Sequence, residues 1–410
     1  MRIGLVGINN PDWVSLSLYY LYANILPIVD PNNIEIIEYS LKLEPEKIIK
    51  DLKQRNLDII CFSMYLWNEI KLKYIISKIK NQKKEPIVYA GGPSVNSPEK
   101  MLQNNPSIDI LIKGEGEITL KKLLQKKKLN NILGISYRIK NKIIHNSERP
   151  VLKRLDDLNS PFKKELNFPF QKKFMYSSSR GCKYNCIYCK ECSNGHFRSF
   201  SLNRINDDLK NIVENSPNKS VSFSDSIFNR NNDFLKEILK IKNKLPDFDL
   251  FVEIDANTLD EEGINLLKLL KVRGIETGPQ TTSKKCLNTI KRTLNKENFK
   301  NNIKKLEKVD IKVTCDLILG LPGDNVNSFK ESLNYLIHEV NPNHICVLNL
   351  NVLPGTELYK NTKKWDLKYN PLPPFNIISN KTFSQKDIKK AEEHVETLSK
   401  KYANIDLIKG

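Results

Sequence analysis

A chain of 410 residues, 40% apolar and 28% charged, is long enough for two domains with hydrophobic cores of their own. No apolar run reaches the roughly 20 residues that a membrane-spanning helix needs, and the opening "MRIGLVGINNPDW" reads into a buried strand with no signal-peptide cleavage site. A cytoplasmic protein with reduced thiols is therefore expected. The net charge of +19 comes from lysines spread from end to end. Its densest run, Lys121–Asn131, lacks the interleaved aromatics that stack bases, so it reads as solvated surface rather than a nucleic-acid face.

In chain order, residues 1–128 alternate short apolar strands ("RIGLVGI", "IEIIEY", "LDIICFS", "PIVYAGG", "IDILIKG") with amphipathic stretches such as "EPEKIIKDLKQ". That alternation predicts an α/β domain with a doubly wound, Rossmann-like parallel sheet. No GxGxxG follows the first strand, which argues against a nicotinamide dinucleotide. Small and polar residues instead follow later strands: Ser63 with Trp67 and Asn68, then Gly91-Gly92-Pro93-Ser94, then Glu115-Gly116-Glu117. Such strand ends form the ligand crevice of a doubly wound sheet. Each glycine alone reads as turn chemistry, but three clusters on one edge suit a large flat ligand. Residues 129–172 follow as a hairpin turning at Lys140–Lys142 and an extended Pro-bounded linker. From 173 to 375 alternation resumes with six strand candidates: "KFMYSS", "KSVSFSD", "LFVEID", "GIETG", "IKVTCDLIL" and "HICVLNL". These predict a partial (β/α)6 barrel, whose active groups sit at the C-terminal strand ends. Residues 376–410 read as one C-terminal helix.

Four of the eight cysteines lie in "SSSRGCKYNCIYCKECSNGHFR", just after the first barrel strand. A structural zinc site takes two separated ligand pairs, and no second pair exists; a mononuclear site of Cys192 and His196 is a weaker alternative. Cys61, Cys286, Cys315 and Cys346 stand in apolar or helical contexts as small hydrophobes. The spacing Cys182-x3-Cys186-x2-Cys189 suits a [4Fe–4S] cluster with three thiolate ligands and one open iron, at which a molecule carrying an amine and a carboxylate can chelate.

At this point "CKYNCIYC" resembles the CxxxCxxC loop of the radical S-adenosylmethionine (SAM) superfamily. "VSFSDSIFN", "IETGPQTTSKKCLNTIKR", "DLILGLPGDNVNSF" and "VLNLNVLPGTELY" resemble further signatures of the subgroup with an N-terminal cobalamin-binding domain. "IICFSMYLWN", "IVYAGGPSV" and "IKGEGE" are similar to that domain itself, so the resemblance runs over about residues 1 to 375. It implies that Cys182, Cys186 and Cys189 ligate the cluster and that SAM, chelated at the open iron, is cleaved reductively to a radical that takes hydrogen from an unactivated carbon. It implies SAM contacts from Tyr188, Ser224, Asp225, Glu253, Gly278, Gln280 and Arg292, with Arg292 pairing the SAM carboxylate. Cobalamin would lie against Ser63, Trp67, Asn68, Gly91 to Ser94 and Glu115 to Glu117.

Three features depart from the family pattern. Cys192 is an added thiol, read as a bystander or else as a substrate-side thiol or part of a C-x2-C-x2-C register. The second barrel strand offers only Asp225 where the subgroup often has more acidic residues. The DxHxxG histidine of many B12 domains is absent, and the first histidine is His145, so cobalamin would bind base-off without a histidine ligand. The resemblance implies a cobalamin-dependent radical SAM methyltransferase acting on a small molecule or peptide, served by an electron donor such as flavodoxin or ferredoxin. Cyclisation, rearrangement or oxidation with the same cofactors is the alternative reaction, and a cobalamin or redox sensor the alternative class. A tRNA methylthiotransferase is disfavoured because the N-terminal domain, residues 1–128, holds only Cys61. The positive charge gives a mild expectation of an anionic substrate.

Overall fold

The computed structural model describes every residue except 81–83, 126, 141, 194–196 and 410. His196, and Asn141 of the hairpin turn, lie outside the described residues. Two compact units divide the chain, Met1–Phe174 and Met175–Gly410.

The first unit is built on strands β1 (Ile3–Asn9), β2 (Ile34–Ser40), β3 (Ile59–Ser63), β4 (Ile87–Gly91) and β5 (Ile110–Ile112), in the order β2-β1-β3-β4-β5 and all parallel. All five residues of β3 are buried, as expected of a central strand covered on both faces. Helices α1 (Leu16–Ile25), α2 (Pro45–Gln54), α3 (Glu69–Ile79), α4 (Pro98–Asn104) and α5 (Gly116–Leu124) supply that cover. One core joins Ile48 and Leu52 of α2 and Ile75 and Ile79 of α3 to one sheet face; another joins Leu18 of α1 and Leu120 of α5 to the opposite face. The sequence of α2 shows why it forms: Pro45 opens its first turn, Glu46 meets the positive helix end, and Ile48 and Leu52 fall one turn apart on the buried side.

The hairpin is not a free connector. Its strands β6 (Ile135–Ile139) and β7 (Lys142–His145) continue the same sheet antiparallel beyond β5. The expected linker is fastened as well. Asn159 exchanges hydrogen bonds with Asn24 and Ala23 of α1, and Phe162 and Phe168 pack edge-on against Tyr20 and Tyr19.

The second unit contains an all-parallel seven-stranded sheet. Its strands are β8 (Met175–Tyr176), β11 (Ser220–Phe223), β12 (Asp249–Glu253), β13 (Val272–Gln280), β14 (Lys312–Leu319), β15 (His344–Asn349) and β18 (Ile405–Ile408), in that order. Two short antiparallel pairs complete the strand set, β9 (Ser179–Arg180) with β10 (Arg198–Ser199), and β16 (Lys368–Tyr369) with β17 (Ile377–Ser379). The main sheet is open, with β8 and β18 as its edges. Helices follow the strands: α6 (Leu202–Asn215), α7 (Asn232–Lys242), α8 (Glu261–Leu269), α9 (Lys284–Ile290), α10 (Lys296–Lys308) and α11 (Val326–Asn334).

The C-terminal segment is more than the expected helix. Helix α12 (Gln385–Lys401) starts at a Ser384–Asp387 capping box, and the chain then returns as β18 alongside β15, adding a seventh strand to the six predicted. Along β14, Val313, Cys315, Leu317 and Leu319 are buried, whereas Lys312, Thr314 and Ile318 of the alternate set retain exposure. The residues argued over below, Glu253, Glu276, Gly278, Gln280 and Asp316, belong to the corresponding open-side sets of β12, β13 and β14.

Candidate functional site

In the first unit, the sheet order reverses at β1, and the loops after β1 and β3 flank that switch point. Trp67 projects there with 56% of its surface exposed, stacked on Tyr65 with ring centroids 4.5 Å apart. Its indole N–H donates to Asn9 Oδ1 at 3.0 Å, and the Tyr65 hydroxyl donates to Ser17 Oγ at 3.0 Å. Ser17 in turn meets Ser63 Oγ at 3.3 Å. Asn9, Ser17 and Tyr65 escaped the sequence reading, because lone polar residues in loops and helices leave no periodic trace. Gly92 has φ +113°, and a Cβ there would lie 2.5 Å from the Met64 carbonyl oxygen, so only glycine lets these two loops close on each other.

The expected ligand residues divide by what they already do. Asn68, 1% exposed, donates to the carbonyls of Ile8 and Ser63 and accepts from Tyr65 N–H. It staples the loop after β3 to the end of β1. The Gly91 carbonyl accepts from Met64 N–H, and Ser94 N–H donates to the Met64 carbonyl. Glu115 accepts from Leu152 N–H, and Glu117 is buried in the first turn of α5 behind Gly116. Trp67 and Pro93 are exposed and Gly91, Gly92 and Gly116 half-exposed, leaving an aromatic plate beside bare backbone. That suits a broad flat ring system. The one histidine of this unit, His145, is bonded to Ser136 and Glu99 on the β7 edge.

In the second unit, the cysteine loop leaves β9 at Gly181 and returns at β10, whose pairing closes the loop at its base. Distant segments pin it further. Ile187 N–H donates to the Ile290 carbonyl at 3.4 Å, Leu358 N–H to the Ile187 carbonyl at 2.8 Å, and Lys190 Nζ to the Pro354 carbonyl at 2.8 Å. The Cys186 thiol is held below its ordinary range, at about 6, chiefly by a hydrogen bond from the Cys192 thiol and also by Arg292. Cys182, at about 7, and Cys189 are lowered first by the same Cys192 hydrogen bond. Three thiols on one pinned loop, biased toward thiolate, fit the donor set that an iron–sulfur cluster requires.

Arg292 Nη1 lies 3.7 Å from Cys186 Sγ, and Nη2 donates to the Gly278 carbonyl at 3.0 Å. Its guanidinium sits 5.7 Å from the Tyr184 ring centroid, and the Tyr184 hydroxyl donates to Asp255. A Cβ at Gly278 would meet Gln280 Nε2 at 1.8 Å, so a side chain there would have to displace the Gln280 amide. Gln280 has φ +65°, and its Oε1 is buried without a hydrogen-bond partner among the described residues. An orphaned acceptor beside a fixed guanidinium fits a ligand carrying both a carboxylate and N–H or O–H donors. Tyr188 is half-buried between Cys186 and Arg292, and burial raises its hydroxyl pKa well above the ordinary value.

Asp225 is the clearest departure from expectation. It is 1% exposed and accepts from Ser178 N–H at 3.2 Å, Ser178 Oγ at 2.8 Å, Ser179 Oγ, and Arg230 Nη2 at 3.2 Å. With these acceptor positions occupied, it locks the approach to the cysteine loop. Neighbouring Ser224 is exposed, its N–H donating to the Tyr176 carbonyl.

Glu253 ends β12 on the open side of the sheet, paired in register with Glu276 of β13. Asp316 of β14 is buried close enough to Glu276 to feel its charge. Burial, then the Glu276 charge, pushes Glu253 up to about 7 and Asp316 up to about 9. Glu276 and Asp316 were missed, although their period-2 spacing from Gly278 and Ile318 marks them as open-side residues. Of the other cysteines, Cys61, Cys286 and Cys315 are buried as expected, whereas Cys346 is half-buried on β15 in register with Asp316.

Comparison with known proteins follows this division. The radical SAM superfamily profile matches residues 176–336, and the B12 binding domain profile matches residues 23–124. Over 346 residues the chain is 25% identical to an uncharacterized methyltransferase of Pyrococcus horikoshii, covering 77% of this chain and 73% of that protein. It is 22% identical over 332 residues to the cobalamin-dependent radical SAM methyltransferase TokK of Streptomyces tokunonensis, covering 73% of this chain but only 48% of TokK, about half of that relative's length. The fold matches that of the radical SAM methyltransferase TsrM from Kitasatospora setae, solved with cobalamin and a [4Fe–4S] cluster bound. There the TM-score is 0.74 at 16% identity, over 95% of this chain and 85% of TsrM.

Proposed function

We infer the reaction from one premise: the chain is a member of the radical SAM superfamily that carries a B12-binding domain ahead of its radical SAM domain. From it we propose a cobalamin-dependent methyltransferase that acts on an unactivated carbon. The supporting observation is the ligand edge of the first unit, where an exposed aromatic plate and bare glycine backbone stand without a histidine. A corrin held there would find no histidine of residues 1–144 to bind it, and would supply the methyl group to be transferred.

Bound in their places, the cluster and SAM supply a carbon-centred radical and the cobalamin supplies the methyl group. The rest is the work of this chain's residues. Arg292, fixed by Gly278 and Tyr184, orients a carboxylate next to Cys186. Gln280 Oε1, buried without a partner among the described residues, would accept from a ligand donor. Glu253, held near neutrality, can take or return a proton at physiological pH.

The carboxylates Glu253, Glu276 and Asp316 oppose the anionic substrate suggested by net charge. A small molecule or peptide offering N–H, O–H or cationic groups suits this face better. The net charge of +19 instead suits docking of an acidic one-electron donor such as a flavodoxin or ferredoxin.

The test is anaerobic incubation of the reconstituted chain with hydroxocobalamin, a low-potential reductant, SAM bearing a deuterated methyl group and a panel of small-molecule and peptide acceptors offering N–H, O–H or cationic groups. Formation of both 5′-deoxyadenosine and S-adenosylhomocysteine, with label in the product, is expected. 5′-Deoxyadenosine without S-adenosylhomocysteine would reassign the chain to oxidation or rearrangement, and absence of both products to a sensor. Among the described residues no helix is long and apolar enough to cross a membrane.

A further inference from the structure

The two segments that grip the cysteine loop also carry a collar of positive charge. Ile187 donates its N–H to the Ile290 carbonyl and accepts from Leu358 N–H. Lys291, next to Ile290, pairs with Glu357, next to Leu358, at 2.7 Å, so the segments close on each other as well. Five lysines are exposed around this junction: Lys183 on the loop, Lys291 at the end of α9, and Lys360, Lys363 and Lys364 on the helical turns Glu357–Lys360 and Thr362–Trp365. Across residues 183–190, 290–293 and 357–365 the sequence holds a single carboxylate, Glu357, and Lys291 occupies it. Lys183, Lys360, Lys363 and Lys364 form no ion pair among the described residues, whereas lysines on other helices of this unit do: Lys236 with Glu262, Lys240 with Glu237, Lys300 with Glu297 and Lys305 with Glu261. A lysine-rich chain by itself gives such mixed surfaces; here the charge stands uncompensated. Tyr359 packs edge-on against Tyr369, and Lys364 lies over the Trp365 ring, so the aromatic rings are engaged within the protein, which favours a protein partner over stacked bases.

We propose that this collar is the docking face for a small acidic one-electron carrier protein. The inference rests on the radical SAM reading, because the cluster held by the loop is what would receive the electron. The step balances simply: the carrier loses one electron, the cluster gains it, and no bond is made or broken. Docking at the collar brings the carrier to Ile187, one residue from Cys186 and two from Cys189. Complementary charge then guides the encounter and fixes its register. Arg292 takes no part in it, since its guanidinium faces Cys186.

The experiment compares the full-length wild-type chain with a collar variant carrying Lys360→Glu, Lys363→Glu and Lys364→Glu. A control variant carries Lys42→Glu, Lys47→Glu and Lys50→Glu, exposed lysines of the first unit with the same change of net charge. A milder collar variant, Lys360→Gln with Lys363→Gln and Lys364→Gln, serves if charge reversal impairs folding, which thermal melting reads. Binding of oxidised flavodoxin is measured first on the cluster-free chain by surface plasmon resonance. The initial rate of 5′-deoxyadenosine formation is then measured on the reconstituted chain, driven by reduced flavodoxin or by dithionite. We expect the charge-reversed collar to bind flavodoxin about tenfold more weakly or worse at low salt, the glutamine variant to fall between, and the differences to shrink at about 0.5 M salt. The flavodoxin-driven rate should fall with binding, while the dithionite-driven rate and the control variant stay at wild-type values. Equal flavodoxin binding by wild type and both collar variants would overturn the proposal. An equal loss in the control variant would do so too, by making net charge rather than this face the cause. Binding of a single-stranded oligoribonucleotide that depends on the collar, with flavodoxin binding unchanged, would reassign the face to nucleic acid. A wild-type chain that forms no 5′-deoxyadenosine with dithionite sinks the radical SAM reading and electron delivery with it, and the dithionite arm distinguishes that failure from a failure of the collar.

Discussion

Replacing Asp225 separates a contact with SAM from a contact with the protein. Its carboxylate is fully enclosed, with the Arg230 side chain 10% exposed and paired to it. Asp225→Ala removes acceptors from Ser178 N–H, Ser178 Oγ and Ser179 Oγ and leaves the guanidinium of Arg230 buried beside an empty space. Breaking a buried pair by deleting one member costs about 3–5 kcal/mol, mostly the penalty of the stranded charge. Arg230 keeps bonds to Ser178 Oγ and Ser199 Oγ and lies 3.9 Å from the Phe234 ring centroid, so the lower end, about 3 kcal/mol, is expected. With a urea slope of about 2–3 kcal/mol/M, the midpoint for the radical SAM unit should fall by about 1–1.5 M. Because Ser178 and Ser179 lead into the cysteine loop, reconstituted iron content should fall in parallel. Urea unfolding of the cluster-free chain and iron analysis of the loaded chain check the two halves. An unchanged midpoint with intact cluster and lost SAM binding would refute this reasoning and restore Asp225 as a direct SAM contact.

Four further outcomes follow from the same geometry. Trp67→Ala should lower stability by no more than about 1 kcal/mol, since the indole is exposed, yet the chain should release cobalamin during gel filtration. Gly92→Ala should destabilise the first unit, by about 1–3 kcal/mol from the backbone alone, because its Cβ meets the Met64 carbonyl; thermal melting reads this directly. Arg292→Gln should keep the cluster and weaken SAM binding by tenfold or more, given about 1.5–3 kcal/mol for a charged hydrogen bond, as measured by equilibrium dialysis. The raised pKa values of Glu253, about 7, and Asp316, about 9, mean that the folded state retains protons after the unfolded chain has lost them. Their contribution to stability therefore declines from the ordinary carboxylate range up through those values. Asp316→Asn should flatten the fall of the urea midpoint between pH 5 and pH 9 (about the range set by these pKa values), and parallel curves for variant and wild type would exclude that role.

Much of the fold was legible because parallel strands buried on both faces are short apolar runs, as "IICFS" and "CDLIL" are. Strand Ile405–Ile408 was not, because four residues at a chain end carry too little pattern to separate strand from tail. The hairpin was legible but its allegiance was not. Pairing with Ile110–Ile112 is a non-local choice that no local period records. The cysteine loop was readable from spacing alone, since thiolate chemistry depends on residue type. The backbone ties of Asn68 and Asp225 were not legible for a related reason: a polar residue at a strand end has the same signature whether it faces a ligand or ties down the backbone. Only the hydrogen-bond partners decide between the two. Arg230 was invisible for the converse reason, its importance lying wholly in Asp225.

The geometry of the cluster loop therefore depends on residues far from it in sequence. Ile290 and Leu358 grip Ile187 from two sides, and Pro354 holds Lys190. Lys291, in the left-handed conformation at φ +61°, ends α9 and turns the chain so that Arg292 faces Cys186. One short segment thus both clamps the loop through the Ile290 carbonyl and presents the guanidinium to its thiolate. Any displacement of the α9 terminus moves the cluster ligand and the carboxylate-binding group together, preserving their separation. That coupling has a chemical use. On the proposed assignment Arg292 would hold the SAM carboxylate beside Cys186, and a fixed distance between guanidinium and thiol would keep that place ready for a single ligand.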